Sequence, residues 1–564
     1  TQGPFDNSAA APIGQGLASM LMGISDSGNV TVNASYAEQS TTWGLYLHDD
    51  WKVSRKLSMN IGLRYEIESA ITERYNRSVL GFDPTAAPAI AAQVQANYAL
   101  NPTAGLNPAQ FQVAGGLTFA GVNNNPRGLW NVYPHSFMPR FGLAYSLTNK
   151  TVLRAGYGIF YGFLGTRRTN VIQNGFSQTT YEVPSLDGGL TFANTLANPF
   201  PNGIQQPLGA AGGAMTGLGQ AISFFNQNPL PPYMQRWSFG IQQELPHRIL
   251  ADISYVGNRG THIETTRNIN ALPNSYLSTS PVRDPTTINY LTASVPNPFY
   301  PLLPNTALGG AVVSRASLLT PYPQFTSVTT TAYQGYSWYH SFNLQAEKRL
   351  TAHLMFTGAY TYSKFMEATS YLNAGDPMPE RVISDQDFTH RLSGSAIYEL
   401  PFGKGRKWLS QAHGLLNIIV GGWQAQTIYS IQSGNPLTWG NVLFNGNYSD
   451  IPLSGGSRSV AEWFDIHSGF VTASNAQLSN NLRTFPLRLS NVRGPKIVNF
   501  DISAIKATKI GERLTMQFRA ESLNAMNHPL FANPTVDPTN GAFGAITAQN
   551  NNPRRIQLTL KLLF

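Results

Sequence analysis

Residues 57–67, LSMNIGLRYEI, alternate between apolar and polar side chains without interruption. A side-chain period of two is the pattern of a β-strand with one apolar and one polar face. The length of about eleven residues is what a strand needs to cross a membrane. The polar face carries Arg64 and Glu66. This combination favours a transmembrane strand over a strand of a soluble sandwich.

The composition of the chain excludes several classes of protein. Charged residues make up 12% of the 564 residues, about half the share that is usual in soluble proteins. No run of about 18 apolar residues occurs, so no transmembrane helix is predicted. Cysteine is absent, which excludes disulfides, thiolate metal sites and cysteine nucleophiles. A chain that is poor in charge and rich in Tyr, Phe and Gly suits an outer-membrane barrel.

The sequence predicts neither an enzyme nor a nucleic-acid-binding protein. The formal net charge is +9, but the basic residues form no helix, tail or run, and many lie in short turns. Spacings typical of serine hydrolases, zinc proteases and P-loops are absent. Gly156, Gly158 and Gly162 lie on a predicted strand that no helix follows, which argues against dinucleotide binding. No catalytic residue and no cofactor is predicted.

Period-two segments recur along the chain and predict an all-β fold of about thirteen antiparallel strands. The predicted strands are, approximately, 39–53, 57–67, 140–147, 152–161, 236–245, 249–256, 341–350, 354–363, 391–400, 423–432, 500–508, 514–522 and 555–564. Most connections alternate between turns of about three residues and loops of about 25 to 75 residues, as in bacterial barrels with short periplasmic turns and long extracellular loops.

An odd number of antiparallel strands cannot close a barrel, because the first and last strands then point the same way. Open strand edges cannot lie in hydrocarbon. We therefore expect residues 39–564 to be the C-terminal part of a larger transmembrane β-barrel. Residues 1–38 are expected to be an extracellular loop segment with a short helix at 14–23. The missing strands are expected before residue 1, because the chain ends on a strand with a terminal aromatic, Phe564.

Several stretches, in the order in which they occur, resemble the barrel of TonB-dependent outer-membrane transporters, in particular the Oar-like group. They are WGLYLHDDWKVSRKLSMNIGLRYE (43–66), MPRFGLAYSLTNKTVLRAGYGIFYG (138–162), QRWSFGIQQEL (235–245), ISYVGNRGTHI (253–263), DFTHRLSGSAIYELPFGKG (387–405), GGWQAQTIYSIQSGNPLTW (421–439) and RAESLNAMNHPLF (519–531). The C-terminal Phe564 also resembles the signal that the barrel-assembly machinery recognises.

The resemblance implies a barrel of about 22 strands around a plug. By that count the chain is expected to lack the plug, the TonB box and roughly nine of those strands. The implied partners are outer-membrane lipid, the missing N-terminal plug and strands, the TonB system acting through the plug, and the barrel-assembly machinery. The implied location is the outer membrane of a Gram-negative bacterium. The implied function is uptake of a bulky polar solute such as a peptide, glycan or chelate.

A surface-anchored structural or adhesion protein, with long loops that bind partners, is the alternative function. A plug and a TonB box upstream of Thr1 would separate the two hypotheses.

Strand alternation also assigns candidate functional residues to the two faces. Ten charged residues are predicted to face the lumen, where they either contact a plug and a solute or pair with one another: Arg64, Glu66, Arg140, Arg154, Arg236, Asp252, Glu347, Arg391, Arg519 and Glu521. Nine aromatic residues are predicted to form the membrane girdle on the lipid face: Trp43, Tyr65, Tyr157, Tyr161, Trp237, Tyr255, Tyr360, Tyr398 and Trp423.

No metal site is predicted. His48 and Asp50 share a face that Asp49 does not, and a closed site needs four or more ligands. Asp385, Asp387 and His390 are assigned to local turn hydrogen bonds.

Overall fold

Thirteen long strands form one antiparallel meander in the computed structural model, which describes residue 5 and residues 14–187, 189–351, 353–510 and 513–564. In chain order they are β1 (Thr42–Lys52), β2 (Leu57–Glu68), β3 (Ser136–Ser146), β4 (Thr151–Tyr161), β5 (Tyr233–Leu245), β6 (Ile249–Asn268), β7 (Ser327–Thr351), β8 (Leu354–Ala368), β9 (His390–Glu399), β10 (Trp423–Gln432), β11 (Ile497–Ile510), β12 (Leu514–Leu523) and β13 (Arg555–Leu563). Two short strands extend this sheet: Ala221–Phe224 lies parallel to β7, and Val382–Ile383 lies antiparallel to β8.

The predicted number and order of long strands are confirmed, and the main difference concerns their length. The strands β6, β7 and β8 continue beyond the predicted ends at 256, 341 and 363. In the extensions of β6 and β7 the alternation is interrupted, because their pairing shifts register between Gly260 and Ile263, where His262 has a positive φ of 57°. A bulge of this kind moves the following side chains out of the period-two pattern.

The short turns lie at one end of the strands and are closed by local hydrogen bonds. In the turn at 53–56, the Ser54 hydroxyl accepts hydrogen bonds from the backbone N–H groups of Lys56 and Leu57, at 3.2 and 3.1 Å. In the turn at 147–150, the Thr148 hydroxyl accepts from the Lys150 N–H at 3.1 Å. Such side-chain bonds replace the ladder bonds that a turn residue loses.

The connection 400–422, at the same end, is longer and contains the helix Gly414–Val420. The helix expected within residues 14–23 is present as Gln15–Leu21. Among the described residues, no helix has the length and apolar character needed to cross a membrane.

The long connections at the opposite end fold into structure of their own. Residues 69–135, 162–232 and 269–326, here named the large cap, share an apolar core that includes Val94, Phe111 and Phe299, each at most 2% exposed. The cap contains the helices Ala91–Leu100, Pro285–Thr292 and Arg315–Leu318, and the strand pairs Val79–Asp83 with Gly116–Phe119 and Ser294–Pro296 with Val312–Ser314.

Two further strand pairs tie residues 29–39 to the large cap: Asn29–Val32 with Gln178–Tyr181, and Glu38–Gln39 with Thr72–Glu73. Residues 433–496 and 524–554, here named the small cap, enclose a second core around Trp439, Phe464 and Phe485. The small cap contains the strand pair Pro436–Thr438 with Arg488–Arg493. The buried apolar core of the molecule therefore lies largely in the caps, while the strands expose apolar side chains.

Glu73 anchors the large cap to residues 29–39. Its side chain is fully buried. Its carboxylate accepts hydrogen bonds from the backbone N–H groups of Ala37, Tyr75 and Arg77, at 3.0, 2.6 and 2.8 Å. Burial raises the pKa of Glu73, but these bonds outweigh burial and hold the pKa below the usual 4.5. The ionised carboxylate therefore stabilises this part of the fold.

An ion pair buried at the base of the small cap joins it to β8. The Asp387 side chain is fully buried. It pairs with the Arg493 guanidinium at 2.6 Å and accepts the Phe365 backbone N–H at 2.5 Å. The neighbouring Asp385 is 44% exposed and lies 3.5 Å from Arg488.

We expect Glu73→Gln to destabilise residues 69–79 by about 2–3 kcal/mol near neutral pH, because an amide cannot accept three N–H groups as the carboxylate does. The pKa of folded Glu73 lies below that of the unfolded chain. Its contribution is therefore complete above pH 4.5 and is lost as the pH falls through the folded value. Hydrogen–deuterium exchange of residues 69–79 measures this. Glu38→Gln is the matched control, because Glu38 accepts one N–H, from Val171. An equal effect of the two substitutions would contradict the assignment.

We expect Asp387→Ala to destabilise the small cap by about 3–5 kcal/mol, because it leaves Arg493 without its buried partner. Asp385→Ala is the control and should cost less than about 1 kcal/mol, as for an exposed pair. Limited proteolysis of residues 433–496 measures both. Similar cleavage rates for the two variants would show that the Asp387–Arg493 pair does not hold the cap.

Candidate functional site

The strand register places all ten predicted lumen residues on one face of the sheet. Directly paired residues of an antiparallel sheet share a face. Arg140, for example, pairs with Gly62 on β2 and Gly158 on β4, and Gly158 pairs with Arg236 on β5. The same pairing continues to Glu521 on β12. We name this face the polar wall; contact of the wall with a solute stays a prediction.

Six of the ten charged residues of the polar wall contact other side chains of the protein. Arg64 donates to Glu66 at 2.6 Å, and Arg519 lies 3.8 Å from Glu521. Arg154 donates to Gln242 at 3.0 Å. The Arg140 guanidinium lies over the Phe160 ring, 4.8 Å from its centroid. Pairing between two of the ten residues thus occurs for Arg64 with Glu66 and for Arg519 with Glu521, while Arg154 and Arg140 contact other side chains.

The other four charged residues of the polar wall have no side-chain partner among the described residues. Within the described part of the chain, the side chains of Arg236, Asp252, Glu347 and Arg391 make no hydrogen bond or ion pair. Charged groups that are held on a strand and have no partner within the protein can bind a polar solute or a second protein surface.

A cavity of about 310 Å³ opens on the polar wall at β1 to β3. Its lining includes Tyr46, His48, Arg64 and Arg140 around Gly62. Gly62 pairs with His48 on β1 and with Arg140 on β3. Because glycine has no side chain, the space between these two residues stays open. Two guanidinium groups beside an imidazole and a phenol favour a ligand with acidic or hydroxyl groups.

The opposite face of the sheet exposes large apolar side chains. Ile253, Phe342 and Leu558 are 47%, 43% and 66% exposed. Soluble monomers rarely expose a large contiguous apolar surface. This outward face is suited to contact with lipid hydrocarbon.

Polar residues mark the two limits of the apolar band. On β7, the outward residues between His340 and Lys348 are Phe342, Leu344 and Ala346. The distance from His340 to Lys348 is about 26 Å along the strand at about 3.3 Å per residue. A transmembrane barrel has an apolar band roughly 25 Å tall, so these two residues lie at its edges.

All nine predicted girdle aromatics lie on the outward face, and most lie toward the cap end. Tyr398 and Trp423 lie at the short-turn end of β9 and β10. Tyr255 and Tyr360 lie further from the strand ends than predicted, but their hydroxyls hydrogen-bond the Nδ1 atoms of His340 and His390, at 2.7 and 2.8 Å. These imidazoles supply the polar partner that a tyrosine in an interfacial belt requires.

The residues considered for a metal site do not converge on one point. His48 Nε2 lies 3.7 Å from Asp50, and Asp49 is on the other face, opposite Ile61. Asp387 accepts the Thr389 hydroxyl at 3.1 Å, which is the local turn bond that was predicted. Its ion pair with Arg493, 106 residues away, was not predicted. The described residues contain no group of three or more carboxylates and imidazoles able to hold a metal ion.

The sequence model of the outer membrane beta barrel domain matches residues 1–557. The chain belongs to this family. Its location is therefore the outer membrane, in agreement with the exposed apolar face of the sheet.

Solved structures that are similar to the chain are outer-membrane proteins. The outer membrane transporter YddB from Escherichia coli has a TM-score of 0.40 at 11% identity, over 94% of this chain and 54% of that one. The pyoverdine receptor FpvA from Pseudomonas aeruginosa has a TM-score of 0.39 at 11% identity, over 94% of this chain and 43% of that one. The copper transporter OprC has a TM-score of 0.38 at 10% identity, over 93% of this chain and 48% of that one. The chain thus spans about half the length of these proteins. A search of curated protein sequences finds no significant match.

We expect Ile253→Arg to destabilise the barrel by about 2–4 kcal/mol, because the residue is outward and lies midway along the apolar band. Ser254→Arg is the control, since Ser254 is the next residue and lies on the polar wall. Urea unfolding of the protein in lipid vesicles measures both. Equal destabilisation by the two substitutions would contradict the assignment of the faces.

Proposed function

We propose that this chain forms the C-terminal part of a TonB-dependent outer-membrane transporter that takes up a bulky polar solute, such as a peptide, glycan or chelate. The polar wall supports the proposal, because it holds the charged residues Arg236, Asp252, Glu347 and Arg391 without partners in the described part of the chain. The resemblance of residues 43–66 and 138–162 to barrels of this group supports it independently.

The open edges of the sheet support a larger barrel. Within the described residues, β1 pairs only with β2 and β13 only with β12. Every residue of β1 is exposed, on both faces. Unpaired backbone groups of a strand in hydrocarbon need a partner. We propose that N-terminal strands pair with both edges to complete a barrel of about 22 strands around a plug, and that the TonB system acts through this plug.

In the proposed orientation the two caps are extracellular and capture the solute, and the short turns face the periplasm. The exposed basic residues of these turns would lie near lipid head groups: Arg55, Lys56, Lys150, Arg248, Lys404 and Lys407. The final residue, Phe564, follows β13 and is 97% exposed. We propose that the barrel-assembly machinery recognises it.

A surface-anchored adhesion or structural protein is the second candidate. The folded caps favour it, because their buried cores provide fixed surfaces for a protein partner. The charged residues of the polar wall have no role in this alternative.

We expect the double variant R236Q/R391Q of the full-length protein to raise the KM for solute uptake about tenfold, because each arginine can supply a charge-assisted hydrogen bond. Uptake of peptide, glycan and ferric-chelate probes by intact cells measures this, with and without a proton-motive force. R55Q/K56Q is the control and should leave uptake unchanged. Uptake that is absent, or that needs no energy, together with normal adhesion to other cells, would favour the second candidate.

We expect the orientation to be visible by labelling, because the chain has no cysteine of its own. Asn124→Cys lies in the large cap, and Lys404→Cys lies in the connection 400–422. A membrane-impermeant maleimide should label only the Asn124→Cys variant in intact cells, and both variants after the outer membrane is permeabilised. Labelling of Lys404→Cys alone in intact cells would reverse the proposed orientation.

A further inference from the structure

Four basic side chains lie on the outward face, at the cap-side limit of the apolar band. They are Arg259 on β6, His340 on β7, Lys364 on β8 and Arg381, which precedes the short strand Val382–Ile383. All four are exposed. These basic side chains differ from the rest of the outward face, which is apolar with an aromatic border.

The strand register brings the four groups together around Trp338. His340 is the direct cross-strand partner of Lys364, and Arg259 is the direct partner of Trp338. The Arg381 guanidinium lies over the Trp338 ring, 4.5 Å from its centroid. Direct cross-strand neighbours have Cβ atoms about 5 Å apart, and diagonal neighbours are about 7–8 Å apart. The four side chains therefore lie close together around the Trp338 ring, as one patch.

The carboxylates nearest in sequence or on neighbouring strands have other partners. Glu367 and Asp385 pair with Arg488, at 2.8 and 3.5 Å. Glu264 pairs with Arg168 at 2.9 Å. Among the described residues, no carboxylate lies within ion-pair distance of Arg259, Lys364 or Arg381. The positive charge of the patch is thus left for a partner outside the chain.

The cations at the opposite limit of the band are arranged differently. Lys348 donates to the backbone carbonyl of His247 at 2.7 Å. Lys506 donates to the carbonyl of Gly421 at 2.6 Å and lies over the Trp423 ring. These two ammonium groups have protein oxygen acceptors. Among the described residues, the only side-chain hydrogen bond of the four patch residues is the one between His340 Nδ1 and the Tyr255 hydroxyl.

We propose that the patch formed by Arg259, His340, Lys364 and Arg381 binds the phosphate of a lipid headgroup in the leaflet on the cap side. Guanidinium groups form charge-assisted hydrogen bonds with phosphate oxygens, and basic side chains beside a membrane attract anionic headgroups. The apolar band begins directly below the patch, at Phe342 and Tyr362. A headgroup held there would place its acyl chains along this band, which a free phosphate ion would not use.

Native mass spectrometry of the full-length protein, titrated with phosphatidic acid, tests the proposal. We expect the triple variant R259Q/K364Q/R381Q to bind phosphatidic acid about 100-fold more weakly, because each cation near a membrane surface contributes about fivefold. Phosphatidylcholine should bind equally to the wild type and the variant. The charge-keeping variant R259K/K364R/R381K should retain most of the binding, which separates loss of charge from loss of structure.

The control variant R55Q/K56Q/K150Q removes three positive charges at the short-turn end. It should leave binding of phosphatidic acid unchanged. An equal loss in this control would show that net charge alone attracts the lipid and would overturn the proposal. Displacement of bound phosphatidic acid by an equimolar amount of inorganic phosphate would also overturn it, because the patch would then be an anion site and not a lipid site.

Discussion

The pairing of backbone hydrogen bonds between neighbouring strands is the constraint on which the rest of this structure depends. Hydrocarbon offers no partner for a backbone N–H or C=O group, so the sheet itself must satisfy them. Once the ladder is fixed, each side chain is fixed to one face, because a shift of one residue would move every side chain to the other face. The continuous register from β1 to β13 therefore sets both the polar wall and the outward apolar face.

The connections at the two ends of the sheet differ in length and in what stabilises them. At one end, most connections are a few residues long and are closed by single hydroxyl groups such as those of Ser54 and Thr148. At the other end, the connections are long enough to bury apolar side chains among themselves, which the strands cannot do while they face lipid. The sheet is thus stabilised by contact with lipid, and the two caps are stabilised by their own apolar cores.

The sequence predicts the strands and their faces well because a period of two is a local signal. The stretch 57–67 shows it without a break, and β2 is observed at Leu57–Glu68. Prediction fails where the signal is not local. The bulge between Gly260 and Ile263 hides the extension of β6.

The caps are held by contacts between distant residues, such as the Gln324 side chain and the Ala114 carbonyl at 2.7 Å. For the polar wall, alternation indicates which face Arg236 occupies, but not which charges find partners, since that depends on side-chain geometry across strands. The cap-side patch was missed for a related reason: Arg259, His340 and Lys364 lie on three strands that only the register aligns.

The pair formed by Asp387 and Arg493 has a mechanical consequence. Asp387 also accepts the Phe365 N–H of β8, so one carboxylate joins the small cap to the backbone of a wall strand. A displacement of Arg493 is passed to β8 through two short charge-assisted bonds in series, one from Arg493 to Asp387 and one from the Phe365 N–H to the same carboxylate. A load applied to the small cap from outside therefore reaches β8 through Asp387, beside the second ion pair that Arg488 of this cap forms with Glu367.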